Sequence, residues 1–529
     1  MQDNLDWQCP YPSARSPVFA ANVVATSQPL ATQAGLRALQ AGGNAVDAAL
    51  ASAITLTVVE PNNNGIGSDA FAIVWDGQQL HGLNASGRAP AAWSAERFAG
   101  QTYMPELGWD AVTVPGAVSA WVALSNKFGK LPFAQLFSDA INYARNGYQL
   151  GPKSAFYWGY APRRFKDYTD FMQTFCPAGR APLAGELVRL PDHANSLEKI
   201  ARTKGEAFYR GELAEAMVNA STLAGGALTM ADLAQHQADW VDTISQDFGG
   251  ASLHEIPPNG QGLLALIALG ICQHLQLEQH APDSAMAMHL QIEACRIAYA
   301  DVERHLADIT AMRISPSDLL APAYLQSRAA EIALTEANLN PTALGAAADT
   351  VYLTTADANG MMVSLIQSNY RGFGSGIVPA GTGISLQNRG SGFTLEAGHP
   401  NQVGGGKRPY HTIIPGFVMA NGQPLMAFGV MGGHMQAQGH LQMMVRIVLH
   451  GQNPQAASDA PRWYLQEDGS VCLEDGIAPN VIKALQDMGH PVLLNNPEHL
   501  FGGAQLIYRL PQGYCAASDH RKEGHAGGF

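Results

Sequence analysis

One threonine of this chain has the surroundings that a hydrolytic nucleophile needs. Asp349 and Thr350 follow a run of small residues, 344–348, which we expect to form a flexible, accessible linker. A threonine hydroxyl is a poor nucleophile at neutral pH unless a base lies within hydrogen-bond reach, and a free α-amino group, with a pKa of about 8, is such a base. Cleavage between Asp349 and Thr350 would supply it. Without cleavage, Thr350 is an ordinary residue at the start of a strand.

The elements around this threonine follow from the sequence pattern. Residues 350–356 alternate toward a turn at 357–360, and residues 361–368 alternate back, which predicts a β-hairpin. Further strands are predicted at 70–75, 416–419, 425–430 and 504–509. The region 115–340 is interpreted as mostly helical, and helices are predicted at 29–59 (a helical hairpin), 118–127, 133–146, 263–275, 285–305, 438–449 and 479–488. Strands and helices gathered from both ends of the chain favour a layered α/β architecture.

Composition excludes several classes of protein. Apolar residues make up 47% and charged residues 14% of the 529 residues, which excludes a disordered chain. A net charge of -13 argues against nucleic acid and anionic membrane surfaces as partners, because both attract basic proteins. We therefore expect a small-molecule substrate, no nucleic acid and no membrane.

The sequence has no pattern typical of a targeting signal or a metal site. Residues 1–7 carry acids and amides where a secretory signal would need basic residues before an apolar run, so we expect a cytoplasmic protein. The six cysteines (Cys9, Cys176, Cys272, Cys295, Cys472 and Cys515) lack the spacing of a zinc site or a disulfide framework. They are interpreted as reduced core thiols, and neither a metal nor another cofactor is expected.

Collinear motifs along most of the chain carry a resemblance to a known family. They are GGNAVDAA (42–49), VEP (59–61) with GIG (65–67), VPGA (114–117), DT (349–350), KRP (407–409), GG (432–433), APR (460–462) and ASD (517–519). With these motifs the sequence resembles the γ-glutamyltranspeptidase family of N-terminal-nucleophile hydrolases. The resemblance implies a four-layer αββα sandwich. It also implies a precursor that cleaves itself into a large subunit, 1–349, and a small subunit, 350–529, which together form one interwoven catalytic domain.

The resemblance also implies a mechanism. The Thr350 hydroxyl would attack the carbonyl of Asp349, release a new N-terminus, and then attack the substrate amide. The backbone of Gly432 and Gly433 would bind the oxyanion, although two glycines taken alone indicate a plain turn. Ser368 matches the position where the family places a threonine hydroxyl, so it either orients Thr350 or is a solvent-facing strand serine.

The substrate pocket departs from the family pattern. The arginine that the family places just before an Ala-Pro step is found two positions later, as Arg88, and His411 and Thr412 replace paired serines after KRP. Tyr370, Arg389 and Gly392 stand where the family has Asn, Gln and Asp. Losing that acid would leave a bound ammonium unpaired, a cost of about 2–5 kcal/mol in a dry site. A gained arginine instead suits a carboxylate, although Arg389 and Arg88 could each be structural.

These departures favour an amide that carries a carboxylate and no amine. Oxamate, a small amide of purine catabolism, is the leading candidate, with Arg389, Arg88, Tyr370, His411 and Thr412 as substrate-binding residues. Three alternatives stay open: γ-glutamyl transfer or glutathione hydrolysis, cephalosporin (glutaryl) acylase activity, and a non-catalytic scaffold that is never cleaved. Under the catalytic readings the partner of each subunit is the other cleavage product, and a further pairing of such heterodimers stays open.

Overall fold

The computed structural model of the chain describes residues 15–338 and 349–529. The expected signal-free N-terminus at 1–7, Cys9 and the expected linker at 344–348 lie outside the described residues. Within them, the strands are β1 (Val18–Ala20), β2 (Val23–Thr26), β3 (Asp69–Trp75), β4 (Leu80–Asn84), β5 (Tyr148–Gln149), β6 (Leu187–Val188), β7 (Asp239–Val241), β8 (Ile244–Phe248), β9 (Ala251–Glu255), β10 (Asp349–Ala356), β11 (Met362–Tyr370), β12 (Gly416–Ala420), β13 (Gln423–Met431), β14 (Trp463–Leu465), β15 (Val471–Leu473), β16 (Val492–Leu493), β17 (Gly503–Arg509), β18 (Tyr514–Ser518) and β19 (His525–Gly528).

The α-helices lie before, between and after these strands. They are α1 (Pro29–Gln40), α2 (Ala45–Val59), α3 (Ala117–Phe128), α4 (Ser138–Asn146), α5 (Pro152–Trp158), α6 (Ala161–Arg164), α7 (Thr169–Phe175), α8 (Pro191–Thr203), α9 (Glu206–Tyr209), α10 (Glu212–Leu223), α11 (Met230–Gln235), α12 (Gly262–Cys272), α13 (Ala285–His305), α14 (Pro316–Leu319), α15 (Pro322–Ala329), α16 (Met435–Met444), α17 (Pro454–Asp459) and α18 (Pro479–Asp487). A π-helical turn, Val445–Leu449, extends α16.

Two seven-stranded antiparallel sheets form the centre of the molecule. The first has the strand order β19-β2-β10-β11-β3-β4-β7, and the second β1-β18-β17-β13-β12-β9-β8. A core of Phe71, Tyr352, Ile366, Phe417 and Ile507, with their neighbours, fills the space between the sheets. Helices α2, α3 and α4 cover the outer face of the first sheet, and α12, α13 and α16 cover that of the second. The predicted four-layer αββα sandwich is confirmed.

The predicted hairpin is confirmed as β10–β11. It lies in the middle of the first sheet. Its turn is anchored to α2, because Asp357 accepts a hydrogen bond from the N–H of Ala45 at 2.9 Å and Thr355 donates to the Ala45 carbonyl at 2.6 Å. Helix α2 is buried on every side, and Asn44 and Asp47 form a capping box at its N-terminus. The GGNAVDAA motif therefore fixes the hairpin from the outer, helical face of the first sheet.

Two further motifs meet as a buried ion pair. Arg462 of APR and Asp519 of ASD are both fully buried and lie 2.6 Å apart. Asp519 also accepts the N–H of Ala504 at 2.7 Å, and Arg462 donates to the Phe501 carbonyl at 2.7 Å. The pair therefore fixes the loop at 501–504, which leads into β17. Although burial opposes ionisation, the nearby arginines hold the pKa of Asp519 well below its usual range.

Replacing this buried acid should destabilise the protein far more than replacing an exposed one. We expect Asp519→Asn to cost about 3–5 kcal/mol, because Arg462 loses its charged partner in a fully buried site. Asp139→Asn is the matched control, since it breaks the partly exposed Arg37–Asp139 pair and should cost at most about 1 kcal/mol. The midpoints of thermal unfolding at pH 7 measure both. Equal shifts of the two midpoints would contradict the stabilising role of the buried Arg462–Asp519 pair.

Candidate active site

Thr350 lies at an irregularity of the central hairpin. Asp349 pairs with Tyr370 and Val351 with Gln367, so a bulge in the β10–β11 register falls at Thr350. The side chain of Thr350 is 1% exposed. Its hydroxyl donates to the Ser368 hydroxyl at 3.2 Å, and the side-chain amide of Gln436, on α16, lies 3.4 Å from it. The bulge thus directs a strand hydroxyl toward polar neighbours on β11 and α16.

Ser368 is held in place by the backbone that follows it. Its hydroxyl accepts the N–H of Tyr370 at 2.8 Å, and the residue is fully buried rather than solvent-facing. Tyr370 has a φ of 78°, in the left-handed region that side chains other than glycine rarely adopt. Backbone strain of this kind is often found at functional sites. The hydrogen bonds fix the Ser368 oxygen next to Thr350.

Gly432 and Gly433 connect β13 to α16 with φ angles of 124° and 61°. A Cβ on Gly432 would stand 3.0 Å from the Cα of Gly502, so the close approach of two backbones requires glycine here. Within the part of the chain that the structure describes, neither N–H has a hydrogen-bond acceptor. Because they directly precede the N-terminus of α16, these donors are suited to an anion.

Arg389 is a buried cation with unused donors. Its Nη1 donates to the Thr412 hydroxyl at 2.8 Å, and its guanidinium lies 4.6 Å from the Tyr370 ring centre. Nε and Nη2 have no acceptor among the described residues. Burial lowers the pKa of Arg389 to about 10, which leaves the group charged at neutral pH. Two free donors on a buried cation are suited to a carboxylate.

His411 contacts Asp69 in the structure, and its contact with the substrate stays a prediction. It is fully buried, and its Nε2 lies 3.2 Å from the Asp69 carboxylate. Burial and the nearby arginines Arg389 and Arg408 lower the pKa of His411 well below its usual value, so the ring is neutral. Asp69, which the sequence analysis missed, also accepts the N–H groups of Gly87 and Gly116. Burial raises the pKa of Asp69 to about 7, although Arg389 opposes the shift.

Arg88 is the weakest of the predicted binding residues. Its side chain is 44% exposed, lies 3.2 Å from Asp308 and 3.7 Å from Asp239, and donates to the Gly406 carbonyl. Because these acceptors occupy its guanidinium in the structure, contact between Arg88 and the substrate stays a prediction. Tyr370 and Thr412 do lie beside Arg389, whereas the side chain of Asp349 is outside the described residues. Gln436 was also missed by sequence analysis, because the observed helix begins at Met435, three residues before the predicted helix at 438–449.

One buried cluster outside this site has ligand atoms of the metal-binding type. His289, Glu293 and His490 place such atoms within 4.8 Å of one another. The two histidines already share a hydrogen bond of 2.8 Å, and Glu293 pairs with Arg296 at 3.1 Å. Because that arginine disfavours a further cation, we interpret the cluster as a core hydrogen-bond network. The described cysteines are buried thiols, as predicted: Cys176, Cys272, Cys295, Cys472 and Cys515.

Comparison with known proteins decides the family. The sequence model of the gamma-glutamyltranspeptidase family matches residues 31–529. The chain belongs to this family. Its members are autoprocessed hydrolases of amide C–N bonds, and this chain is such an enzyme. Within the described residues, every helix is too short or too polar to cross a membrane.

Relatives and solved structures match over nearly the whole chain. The oxamate amidohydrolase proenzyme of Klebsiella pneumoniae is 34% identical over 94% of this chain and 97% of that protein. The glutathione hydrolase-like YwrD proenzyme of Bacillus subtilis is 32% identical over 97% of this chain and 100% of its own. The crystal structure of cephalosporin acylase from Bacillus halodurans superposes with a TM-score of 0.94 at 46% identity, covering 99% of this chain and 98% of that one.

Removing the Ser368 hydroxyl should slow the chemistry without weakening substrate binding. We expect Ser368→Ala to lower kcat roughly tenfold at an unchanged KM, since one buried hydrogen bond of about 1 kcal/mol is lost and the Tyr370 N–H is left unpaired. Ser368→Thr keeps the hydroxyl and should restore kcat. Separate values of kcat and KM, with thermal midpoints for both variants, measure this. A lower midpoint at unchanged kcat would show a purely structural serine.

The buried acid near Arg389 should make the binding of an anionic substrate depend on pH. Below pH 7 Asp69 is protonated, whereas above it the ionised carboxylate offsets the charge of Arg389. We therefore expect KM for such a substrate to rise roughly tenfold between pH 6 and pH 8, the effect of about one pKa unit of interaction. Asp69→Asn should flatten this dependence, and Asp76→Asn, a change at a partly exposed turn residue, should leave it unchanged. A KM that falls over this range would contradict the assignment.

Proposed function

We propose that the chain cleaves itself before Thr350 and then hydrolyses amides whose acyl group carries a carboxylate. In the first step the Thr350 hydroxyl attacks the Asp349 carbonyl carbon, and the C–N bond between these residues breaks as the nitrogen takes up a proton. This shift frees the α-amino group of Thr350, and water then hydrolyses the resulting ester, which frees the Thr350 hydroxyl and the carboxylate of Asp349. The products are a large subunit, 1–349, and a small subunit, 350–529, that stay together as a heterodimer.

The same hydroxyl acts on the substrate. The α-amino group of Thr350 takes the hydroxyl proton as the oxygen attacks the amide carbon, and gives it to the departing nitrogen. The N–H groups of Gly432 and Gly433, which have no acceptor among the described residues, donate to the oxyanion at the N-terminus of a helix. Ser368 and Gln436 orient the hydroxyl. Water then hydrolyses the acyl ester.

Arg389 carries the proposal for the substrate. Its Nε and Nη2 are buried, charged and without an acceptor in the described chain, and a carboxylate would satisfy both in one bidentate contact. Oxamate is the smallest amide of this type, and a relative is named for it. Its breakdown in the cytoplasm, as part of purine catabolism, is the setting we propose. A longer glutaryl-type acyl group is the second candidate, favoured by the 46% identity to cephalosporin acylase.

A substrate panel tests the proposal. Purified protein is incubated with oxamate, glutaryl-4-nitroanilide and γ-glutamyl-4-nitroanilide, and released ammonia or nitroaniline is measured. We expect turnover of at least one of the first two. Arg389→Gln should lower kcat/KM for that substrate at least about thirtyfold, the effect of about 2 kcal/mol for a lost buried charge pair. Arg88→Gln is the matched control and should change it less than about twofold.

Processing is followed in the same samples. On a denaturing gel, the wild-type chain should give two bands in place of one at 56.2 kDa, whereas Thr350→Ala should give the single intact band. Nitroaniline from the γ-glutamyl substrate alone would instead support γ-glutamyl transfer or glutathione hydrolysis. A single wild-type band without turnover would support the non-catalytic scaffold, and normal processing of Thr350→Ala would refute the assigned nucleophile.

A further inference from the structure

Gln436 and His440 lie on one face of helix α16. They are four residues apart, which places them on the same side of the helix, and both side chains are fully buried. The amide of Gln436 faces the hydroxyl of Thr350, whereas His440 pairs with Glu255 at the end of β9. The pair of His440 and Glu255 therefore lies one helical turn behind a contact of the proposed nucleophile.

This pair is a polar contact inside an apolar core. Nδ1 of His440 lies 2.6 Å from Oε1 of Glu255, and the ring of Phe428 lies 4.7 Å from that of His440. Glu255 Oε2 and His440 Nε2 have no partner in the described chain. Burial raises the pKa of Glu255, although His440 opposes the shift. A buried pair with unsatisfied atoms contributes little to stability, because apolar residues of similar volume are often as stable.

Two glycines make room for the pair. A Cβ on Gly262, in α12, would stand 2.7 Å from the Cβ of Glu255. One on Gly416, in β12, would stand 3.0 Å from Cε1 of His440. Both distances are tighter than ordinary van der Waals contact, so two neighbouring elements are shaped around these side chains. A contact that adds little stability, yet has space made for it at two positions, calls for another role.

The pair and Gln436 contact the same stretch of backbone. Oε1 of Gln436 accepts the N–H of Ile414 at 3.0 Å, and His440 packs against Gly416, two residues farther along. Four residues of helix rise about 6 Å, and two residues of extended chain advance about 6.6 Å. Because the two contacts match in spacing, a rotation or slip of α16 would disturb both together.

The contact between Gln436 and Thr350 is sensitive to such a movement. The two side-chain atoms lie 3.4 Å apart, already beyond the usual range of about 2.7–3.2 Å for this type of hydrogen bond. Gly432 and Gly433, which precede α16, both have positive φ angles, and a glycine backbone restrains the adjoining helix less than other residues do. The orientation of the helix must therefore be fixed from the side of the pair.

We propose that Glu255 and His440 are positioning residues for the reaction at Thr350, and that they act through Gln436. This inference rests on the proposed function. The pair fixes the rotation of α16 against β9 and β12. It thereby keeps the Gln436 amide within reach of the Thr350 hydroxyl during the attack on the amide carbon.

An apolar double variant, Glu255→Leu/His440→Met, separates position from stability. We expect its thermal midpoint to stay close to that of the wild type. With oxamate or glutaryl-4-nitroanilide, whichever the wild type hydrolyses, kcat should fall about tenfold at an unchanged KM, the effect of one lost transition-state contact. Glu255→Gln keeps a hydrogen bond to His440 and should retain kcat within about twofold. An unchanged kcat in the apolar double variant would overturn the proposal.

A double-mutant cycle shows whether the pair acts through Gln436. Gln436→Leu should lower kcat about tenfold by itself, the effect of the same lost contact. Adding the apolar double variant should lower kcat little further, because residues that act through one contact are not additive. Losses that multiply would overturn the proposal.

Gln442→Met is the matched control on the same helix. Gln442 is buried as well, but its side chain donates to the carbonyl of Trp463, on β14, at 3.0 Å. The control should keep the kcat of the wild type. A loss of kcat equal to that of the apolar double variant would show a general loosening of α16 and would also overturn the proposal.

Hydrogen exchange gives a readout without turnover. The N–H of Ile414 is protected by Gln436, so its exchange reports the position of that side chain. In uncleaved Thr350→Ala protein, we expect the peptide 411–416 to exchange at least about threefold faster once the apolar double variant is added. Unchanged exchange would overturn the proposal even if the wild type hydrolyses no substrate of the panel. Faster exchange without any wild-type turnover would contradict the proposed function alone.

Discussion

The antiparallel pairing of β10 with β11 is the interaction on which the active site depends. Asp349 to Ala356 would form a strand in many settings, but the bulge at Thr350 exists only because β11 fixes the register on one side. The same pairing brings Ser368 within 3.2 Å of the Thr350 hydroxyl. Because β10 and β11 lie between β2 and β3, the nucleophile is carried by the most firmly held part of the first sheet.

The second half of the site depends on a close approach of two backbones. Gly432 packs against Gly502, whose loop is fixed by the buried pair of Arg462 and Asp519. Motifs that are distant in sequence therefore support one another. APR and ASD hold the loop of Gly502, against which Gly432, one of the two proposed oxyanion donors, lies. This second layer of contacts explains why such residues belong to the same set of motifs as the nucleophile.

Sequence reasoning predicted the hairpin, because an Asn-Gly turn between alternating strands is a strong local signal. The predicted helix at 285–305 is confirmed, with Ser284 as its N-cap. The hairpin β8–β9 was missed, since the region was interpreted as helical. Its edge position leaves polar residues on one face of β8, although Gly249 and Gly250 marked the turn.

Some contacts could not be predicted from one sequence. Asp69 follows a glycine-rich loop, and only the folded chain shows that its carboxylate lies near Arg389 and His411. The bulge at Thr350 likewise depends on the strand register, which local pattern does not specify. The ion pairs of Arg88 with Asp308 and Asp239 could not be predicted either, because both acids are distant from it in sequence.

Two buried arginines show why Arg389 is best explained by a ligand. Arg462 is fully buried, and its two terminal nitrogens donate to the carbonyls of Phe501 and Ser458 and to the carboxylate of Asp519. Arg389 is buried as deeply, but in the described chain it donates from its side chain to Thr412 alone. An unsatisfied buried donor costs about 1–3 kcal/mol, and more when it is charged. A bound carboxylate would offset this cost by accepting from the unused donors of Arg389. Tyr370, a neighbour of both Arg389 and the proposed nucleophile, would set the distance between that carboxylate and Thr350.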